Sequence, residues 1–470
     1  MSSSSALSAL LGSSNAVDIS SILEALTGSS SSGIDVTSAV NAAVSAAQTP
    51  ETQWENQQST LASQTSALTA LQTDINNLDN DMQSLNSLTG PLSAATVTSS
   101  NSTIISASAS SGAASGNNIV EVDNLATTAS WSSGVVASST TALPAETFTI
   151  TPASGTASTF TTDGTQTLSD LATEINSAGI GVSANVVTDA TGSRLSIVAG
   201  SSGAASNFTV SSSDSAAFGL TQSVIPTNAS LKVNGISISS ASNTVTGVLP
   251  GLTLNLLSAS AGTQVTLAVA PNTSAVTNAI QQFVTDYNTA MSALNTQFTD
   301  TNNEGEGVLS SDPTVRNLQS QLLDAISYTY TPSAGTTTVP NLTSLGVSVN
   351  KDGTLSLNTT TLDSALSNNY SDVQSFFQGT ALNGFASTVD QQLTSFISPA
   401  DGAFTVDLSS LSTEYNNLQD DINNFQSNVI APLKVQLQSE YSNAEIALQE
   451  LPGEIKNIDA ELGLNNSSSN

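Results

Sequence analysis

The sequence contains no cysteine and no histidine, and only 6 of its 470 residues are lysine or arginine. Without cysteine and histidine there is no thiolate nucleophile, no histidine-based catalytic triad and no zinc site built from the usual ligands. No disulfide can form either, so the cysteine content does not indicate a redox compartment. We therefore expect no catalysis by a histidine-based triad or a thiolate and no zinc site.

The scarcity of basic residues also excludes a class of partners. The chain has 37 acidic residues against its 6 basic ones, which gives a net charge of −31. A nucleic-acid-binding protein needs a basic surface that displaces counterions from phosphates, and so few scattered cations do not form one. We therefore expect no nucleic-acid partner.

Long apolar runs are missing as well. No window approaches the ~20 apolar residues that span a bilayer, so membrane insertion is not expected. The first basic residue is Arg194, and the start of the chain therefore lacks the positive region of a secretory signal peptide. Export of this protein would need a route that does not read such a signal.

Neutral polar residues make up the balance, since 38% of the chain is hydrophobic and only 9% is charged. This composition is typical of long polar helices and of β structure rich in serine and threonine, and the length predicts several domains. Residues 1–33 are serine-rich and weakly patterned, which predicts disorder. Within it, Ala16–Leu23 echoes Gly33–Val40, a match short enough to arise by chance.

A heptad pattern follows over residues 34–90. Two interleaved apolar series, each with a spacing of seven, predict one supercoiled helix that ends at Gly90-Pro91. The apolar residues of this seam are Trp54, Leu61, Leu68, Leu71, Ile75, Leu78, Met82 and Leu85. Gln57 and Gln64 are its polar members, which weaken a coil but can fix its register.

The same signal returns over residues 405–470, where apolar residues alternate by four and three. Its members are Leu411, Tyr415, Leu418, Ile422, Phe425, Val429, Leu433, Leu437, Tyr441 and Leu448. Pro432 is expected to interrupt this helix and Pro452-Gly453 to break it again. Because a lone heptad helix cannot bury its seam, we expect the two terminal helices to pair. The pattern alone fits a helical hairpin within one chain as well as a coil between subunits.

The middle of the chain carries two other patterns. Over residues 94–270, alternating Val, Ile, Thr and Ser punctuated by Gly, Asn and Pro predict half-buried antiparallel strands, with one helix at Leu168–Asn176. Over residues 273–400 the apolar spacing is helical again. There Asp312-Pro313 is a helix start signal, and Asp352-Gly353 predicts the turn of a hairpin at Val347–Leu357.

Several stretches, in this order along the chain, resemble the flagellar hook-associated protein 2 family, the filament-capping proteins of bacterial flagella. They are Gly33–Val40, Thr96–Asn101, Ile119–Ala126, Asn243–Leu256, Phe283–Asn288, Leu309–Arg316, Leu345–Val349 and Lys351–Leu357. Each motif alone is weak, but their order covers residues 33–128 and 229–462. Residues 168–208 look like a module shared with flagellins.

The resemblance implies a discontinuous, multidomain α+β fold with long coiled-coil terminal helices, a helical leg and two β-rich head domains. The domains expected on this basis are a disordered export segment at 1–33, an N-terminal coiled-coil helix at 34–90, a first head domain at 91–143 and 226–272, a second, flagellin-like head domain at 144–225, a helical leg at 273–404, and a C-terminal coiled-coil helix and tail at 405–470.

The resemblance also implies a function, which is structural and not enzymatic and involves no metal and no cofactor. Family members are exported through the flagellar secretion apparatus and form a homo-oligomeric ring, expected here to be a pentamer, at the tip of the extracellular filament. There they hold back flagellin and let it fold into place, and some also act as adhesins. The expected partners are other copies of the chain, flagellin, the hook–filament junction proteins, an export chaperone and the secretion apparatus. In this reading the seam residues of both terminal helices form the coiled-coil and oligomer interface.

Two rival functions follow from the composition. The Thr/Ser-rich β region alone would suit a secreted adhesin or a surface-layer-like structural protein, although neither needs paired terminal heptads. A secreted hydrolase could use acidic pairs such as Asp420 and Asp421 or Glu304 and Glu306, but a solvated face is the better account of them.

Three further features of the sequence resemble binding sites. The stretch that begins at Asp300 resembles a calcium loop, but Ser311 stands where such a loop needs a bidentate glutamate, so a solvated loop is expected. Trp54 lies on the heptad seam and is expected in a core. For Trp131 the sequence leaves core packing and sugar stacking open.

Overall fold

The computed structural model describes residues 35–213, 219–299, 306–332, 335–379 and 383–461. Its helices are α1 (Val36–Ala47), α2 (Thr49–Asn86), α3 (Leu168–Ser177), α4 (Thr273–Phe298), α5 (Pro313–Ala325), α6 (Thr359–Asn368), α7 (Tyr370–Gln378), α8 (Phe385–Ile397), α9 (Ala403–Phe425) and α10 (Ala431–Glu461). The expected export segment 1–33 lies outside the described residues. Helices and several antiparallel sheets occur together, so the predicted α+β multidomain class is confirmed.

The strands are β1 (Ala95–Ser99), β2 (Ile105–Ala109), β3 (Gly116–Asn124), β4 (Thr128–Ser132), β5 (Glu146–Pro152), β6 (Ser158–Thr162), β7 (Val182–Asp189), β8 (Gly192–Ser202), β9 (Phe208–Ser212), β10 (Thr221–Val224), β11 (Ala229–Val233), β12 (Ile236–Ser240), β13 (Thr244–Thr246), β14 (Leu252–Leu256), β15 (Gln264–Pro271), β16 (Val347–Val349) and β17 (Leu355–Leu357). They form separate sheets in two β-rich cores and one hairpin.

The two ends of the chain meet in an antiparallel helical stem, in which α2 packs along α9 and α1 packs along α10. The predicted N-terminal helix is divided into two helices at Gln48, because Pro50 lies in the first turn of α2, where a missing amide costs no hydrogen bond. The C-terminal helix passes through a π-turn at Gln426–Ile430 before α10 begins. Pro452 lies inside α10, so the predicted break at Pro452-Gly453 is wrong: the helix continues there despite losing one backbone donor.

A helical leg is built around the second half of α2, which packs against α4, α8 and α9. Its start signals behave as the sequence predicts: Asp312 caps α5 by accepting hydrogen bonds from the amides of Thr314 and Val315. The predicted hairpin also forms, with β16 paired to β17 and Gly353 at φ +81° in the turn. One apolar core joins these elements, so the seam of the N-terminal helix and the leg share their buried side chains.

The first head domain encloses a core between two antiparallel sheets. The strand orders are β1-β15-β3-β11-β12 and β13-β14-β2. Strands β11 and β14 alternate buried and half-buried residues along their whole length, which is the period of two that one-sided burial requires. The alternating pattern in the sequence therefore corresponds to the inner faces of this sandwich.

The second head domain packs α3 against sheets of order β10-β4-β8-β7 and β6-β5-β9. The predicted helix at Leu168–Asn176 forms as α3, with a capping box between Thr167 and Asp170. The boundary between the heads differs from the predicted one. Strand β4 pairs with β8 and β10, and Ala129 and Leu143 lie in the second core, so the segment from residue 128 to 143 belongs to the second head and not to the first.

Candidate functional site: the stem and the acidic helix pairs of the leg

The stem is held in register by polar side chains that lie between its helices. Nε2 of Gln58 donates to the carbonyl oxygen of Tyr415 at 3.2 Å and to Oε1 of Gln419 at 3.3 Å. Seven residues further along the C-terminal helix, the side chain of Gln426 donates to Glu51. Glu51 and Gln58 are 7% and 9% exposed. Hydrogen bonds at buried seam positions penalise any slip of one helix along the other, so these residues fix the pairing of α2 with α9.

Aromatic contact closes the stem beside these polar groups. The rings of Trp54 and Phe425 meet edge to face, with centroids 5.4 Å apart. Both side chains are half-buried, and such a pair is worth roughly 0.5–1.5 kcal/mol beyond the area it buries. Trp54 is thus a packing residue of the stem, as its place in the heptad series indicates.

The predicted seam of α2 is buried over its whole second half. Leu61, Leu68, Leu71, Ile75, Leu78, Met82 and Leu85 are all 7% exposed or less. The six from Leu68 onward belong to the core of the leg. The polar position of the seam is Gln58 and not Gln57, which is exposed. The apolar series therefore marks a buried face, and the elements that cover it are leg helices as well as α9.

The predicted seam of α9 and α10 is covered unevenly. Ile422 is buried, and Leu411, Leu418, Phe425, Leu433, Leu437 and Tyr441 are half-buried, whereas Tyr415, Val429 and Leu448 are 38%, 38% and 47% exposed. Ile430 takes the buried place that the four-three spacing gives to Val429. The cause is the π-turn at Gln426–Ile430, which adds a residue to the turn and rotates the apolar face by one position. Whether any of these residues also contact another subunit remains a prediction.

The leg holds two carboxyl pairs between its helices. Asp79 on α2 lies within hydrogen-bonding reach of Asp390 on α8. Asp81, two residues further along α2, lies in the same way against Asp286 on α4. Asp79 is 5% exposed, and one buried oxygen of Asp79 and one of Asp81 have no donor partner. A proton held within each pair would satisfy these oxygens, because a neutral carboxyl group is itself a donor.

Burial is the main reason why these carboxyl groups are hard to ionise. It raises the pKa of Asp79 to about 7, with the negative charge of Asp390 as the second cause. It likewise raises the pKa of Asp81 to about 7, where the hydrogen bond with Asp286 and then its charge add to the effect. Asp74 follows the same direction, since burial and then the charge of Asp286 raise its pKa. In all three cases the environment in the folded leg disfavours the charged form of the carboxyl group.

Among the described residues, basic side chains do not form salt bridges with these carboxyl pairs. The salt bridges within the described residues join Lys232 to Glu121 and Asp123, in the first head domain. In the leg, Arg316 instead donates to the carbonyl oxygen of Ser310 and lies over the ring of Phe298. The carboxyl pairs therefore keep their own protons or carry uncompensated charge.

Sequence reasoning did not find these pairs. It weighed Asp420 and Asp421, which are exposed on α9, because they are adjacent in the chain. The one signal it could have used is that Asp79 and Asp81 immediately flank the seam residues Leu78 and Met82. Their partners lie about 200 or 300 residues away, so no local pattern shows that they meet.

Other sites considered from the sequence are less informative. Asp300–Gly305, the start of the calcium-like loop, lies outside the described residues, and Ser311 is exposed. Within the described residues, acidic side chains do not come together in groups of three or more that could hold a metal ion. In the same part of the chain, the helices are all too short or too polar to cross a bilayer.

Trp131, which the sequence left open between core packing and sugar stacking, packs on the second head core. Its Nε1 donates to the carbonyl oxygen of Phe208 at 3.0 Å, and its ring lies 6.4 Å from the ring of Phe208. The indole is half-buried, and its only hydrogen-bond donor is used within the domain.

Comparison with known proteins places the chain. Residues 226–452 match the C-terminal region of flagellar hook-associated protein 2, and residues 32–129 match its N-terminal region. Together the two matches cover well over half of the chain. The chain belongs to the flagellar hook-associated protein 2 family. Residues 147–201, in the second head domain, match the flagellin hook IN motif, which agrees with the flagellin-like module seen in the sequence.

Two members of the family show how far their sequences have diverged from this chain. The chain is 29% identical to the B-type flagellar hook-associated protein 2 of Pseudomonas aeruginosa over 61% of this chain and 66% of that protein. It thus spans just under two thirds of the length of that relative. It is 27% identical to the flagellar hook-associated protein 2 of Escherichia coli over 83% of this chain and 90% of that protein.

Solved structures agree with this assignment. The crystal structure of the D1-D2-D3 domains of the flagellar cap protein FliD from Escherichia coli superposes with a TM-score of 0.58 at 26% identity. The match covers 74% of this chain and 99% of that one. The two chains therefore share a multidomain fold over about three quarters of this chain.

Proposed function

We propose that this chain caps the flagellar filament as a structural, non-enzymatic protein that sits outside the cell at the filament tip. In this role it forms a homo-oligomeric ring, retains flagellin that arrives at the tip and promotes its folding and insertion. Its further partners are the hook–filament junction proteins and, during export, a chaperone and the flagellar secretion apparatus. The observation that carries the proposal is the likeness of its fold, over 74% of the chain, to a solved flagellar cap protein that is covered almost completely.

The stem supports an assembly role over that of a passive adhesin. A β-rich adhesin needs only its sheets, whereas here the terminal helices are paired through buried polar contacts at Glu51 and Gln58. Such contacts specify register at a cost in stability. Two polar seam residues that fix the register are expected where the geometry of the stem determines how subunits or flagellin are arranged.

The test is a gene deletion in the parent bacterium with complementation from a plasmid. Deletion is expected to abolish filaments seen by electron microscopy and swimming in soft agar, while monomeric flagellin accumulates in the medium. The wild-type gene is expected to restore filaments. Normal filament number and length in the deletion strain would overturn the proposal.

A second arm asks whether the stem carries the function. Leu418→Asp with Phe425→Asp places two carboxylates on the half-buried face of α9, and each unpaired buried charge costs several kcal/mol unless it becomes exposed. We expect leaked flagellin, loss of the oligomer in light scattering, and retained β-type circular dichroism from the heads. Asn416→Asp with Asn423→Asp adds the same charge on the exposed face of the same helix and is expected to complement fully. Filaments with the first variant would contradict a role for this face.

A further inference from the structure

Strand β7 forms one edge of a sheet in the second head. It lies at the end of the order β10-β4-β8-β7, and its 8 residues pair with β8 without a bulge. Proteins usually protect such an edge with a proline, a lysine, a bulge or a very short strand. The opposite edge is protected in this way, because β10 has only 4 residues and its register shifts between Gln222 and Val224. Strand β7 has no proline, no lysine and no register shift.

The register shows which backbone groups of β7 face outward. The turn between β7 and β8 consists of Ala190 and Thr191 alone, so the residues that flank it, Asp189 and Gly192, are a hydrogen-bonded pair. Bonded and non-bonded pairs alternate along an antiparallel ladder. Every second residue of β7 therefore directs its N–H and C=O groups away from β8. These residues are Val182, Ala184, Val186 and Thr188.

The side chain of Asn176 binds the middle of this edge. Its Nδ2 donates to the carbonyl oxygen of Ala184 and its Oδ1 accepts from the amide of Ala184, both at 2.8 Å. A neighbouring strand would offer Ala184 the same two groups, one donor and one acceptor. Asn176 is itself exposed, so it lies on the side from which a strand would approach. Within the described residues, the outward groups of Val186 and Thr188 have no such partner.

The contact depends only on elements that are adjacent in the chain. Asn176 lies in the last turn of α3, eight residues before Ala184, and α3 packs against β7. Gly179 and Gly181, at φ +60° and +78°, reverse the chain between the two elements. The side chain of Asn176 therefore reaches the edge whenever α3 is packed on β7.

A second copy of β7 is the strand that fits this edge. Two β7 strands placed antiparallel about Asn185 bring every outward-facing residue opposite another, with Ala184 facing Val186 of the second copy. Such a contact is self-complementary about a two-fold axis. Strand β7 carries no charge before Asp189, so the repulsion between two chains of net charge −31 is weakest along such a neutral edge.

We propose that Asn176 acts as a substitute strand that closes the edge of β7 against a second copy of this chain. In the symmetric register Ala184 takes part in the central pairs from both copies, so the two Asn176 side chains block the middle of the pairing. The second head thereby remains unpaired at this edge, and contacts between copies are left to other surfaces. The proposal does not depend on the function proposed above.

Disulfide cross-linking tests this role, because the chain has no cysteine. In the symmetric register Asn185 faces Asn185 of the second copy in a non-hydrogen-bonded pair, whose Cα atoms lie ~4.5 Å apart, within the range of a disulfide. On mild oxidation of the full-length protein, Asn185→Cys with Asn176→Ala is expected to form linked dimers at least tenfold faster than Asn185→Cys alone.

The matched control is Ser183→Cys with Asn176→Ala. Ser183 is exposed on the same face of β7 as Asn185, but in the symmetric register its two copies lie about 13 Å apart along the strands. We therefore expect this variant to cross-link at least tenfold more slowly than Asn185→Cys with Asn176→Ala.

Hydrogen exchange in the wild-type protein gives a second measurement, which does not depend on how the variants fold. The amide of Ala184 is bonded to Asn176, whereas the amides of Val186 and Thr188 face outward without a partner among the described residues. The Ala184 amide is therefore expected to exchange at least tenfold more slowly than the other two.

The outcomes are distinct. Fast dimers of Asn185→Cys only when Asn176 is replaced support the proposal. Equal rates with and without Asn176 would show that this side chain does not close the edge. Equal rates for the two cysteine positions would show that copies meet through unfolding and not through strand pairing. An Ala184 amide that exchanges as fast as that of Val186 would show that the contact does not persist in solution. Each of the last three results overturns the proposal, and none bears on filament capping, since only purified protein is used.

Discussion

Replacing Asp79 by asparagine should stabilise the leg at neutral pH and have little effect in acid. Asp79 is 5% exposed between α2 and α8 and faces Asp390. One of its oxygens accepts a hydrogen bond from Gln83 at 2.8 Å, and the other has no donor partner. An asparagine keeps the acceptor for Gln83 and offers an amide donor to Asp390. It also has no charge to bury.

The magnitude follows from the raised pKa of Asp79. The group titrates near 3.8 when exposed and at about 7 in the folded leg. Because the folded value is the higher one, the folded state holds a proton that the unfolded chain releases, and stability falls as pH rises from about 4 to 7. A difference of about three pH units corresponds to about 4 kcal/mol. This figure is a ceiling for Asp79→Asn, because the asparagine is still a polar group that must be buried.

The assay is urea unfolding followed by helical circular dichroism at pH 4.5, 6, 7 and 8. Near pH 4.5 the variant and the wild type should differ by less than about 1 kcal/mol, and at pH 8 the variant should be more stable by roughly 2–4 kcal/mol. Asp420→Asn, at an exposed position of α9, is the control and should show no such trend. A stability difference for Asp79→Asn that stays constant over this pH range, or a less stable variant at pH 8, would refute the shared-proton account.

Two further predictions concern single cores. Ile75→Ala removes a fully buried side chain where α2 meets the leg helices and should lower the free energy of unfolding by ~2–5 kcal/mol, measured in the helical transition. Asn77→Ala, on the exposed face of the same helix, is the control. An unchanged transition for Ile75→Ala would mean that this core repacks without loss of stability. Thr167→Ala removes the cap of α3 and should cost roughly 0.5–2 kcal/mol, seen as faster hydrogen exchange in residues 168–177 only. Faster exchange in the leg as well would show that the second head does not unfold separately.

The heptad spacing shows which terminal residues are buried but not what buries them. From Leu61 to Leu85, every predicted apolar position of α2 is buried, because a continuous apolar stripe of this length is stable only when other elements cover it. The pattern says nothing of the partner, since α9 and the leg helices present the same chemistry to it. The sequence therefore predicts a coil where the structure has a helix that is shared between stem and leg.

The spacing of apolar residues did not predict the local irregularities of the C-terminal helix. Pro452 stays inside α10, and the π-turn moves the buried position from Val429 to Ile430. Each depends on how neighbouring backbone groups are satisfied in three dimensions. The boundary of the heads at residue 128 depends likewise on which strands β4 pairs with, and strand patterns look the same on either side of it.

By itself the sequence determined the fold class, the order of helices and strands, the buried apolar positions of α2 and the family, because all of these follow from spacing and motifs along the chain. Only the tertiary structure decided which side chains meet across long separations. Asp79 with Asp390 and Gln58 with Gln419 are each more than 300 residues apart. The first pair makes the leg sensitive to protons and the second fixes the register of the stem. Both effects arise from contact and burial, which depend on the tertiary structure and cannot be read from the order of residues in one sequence.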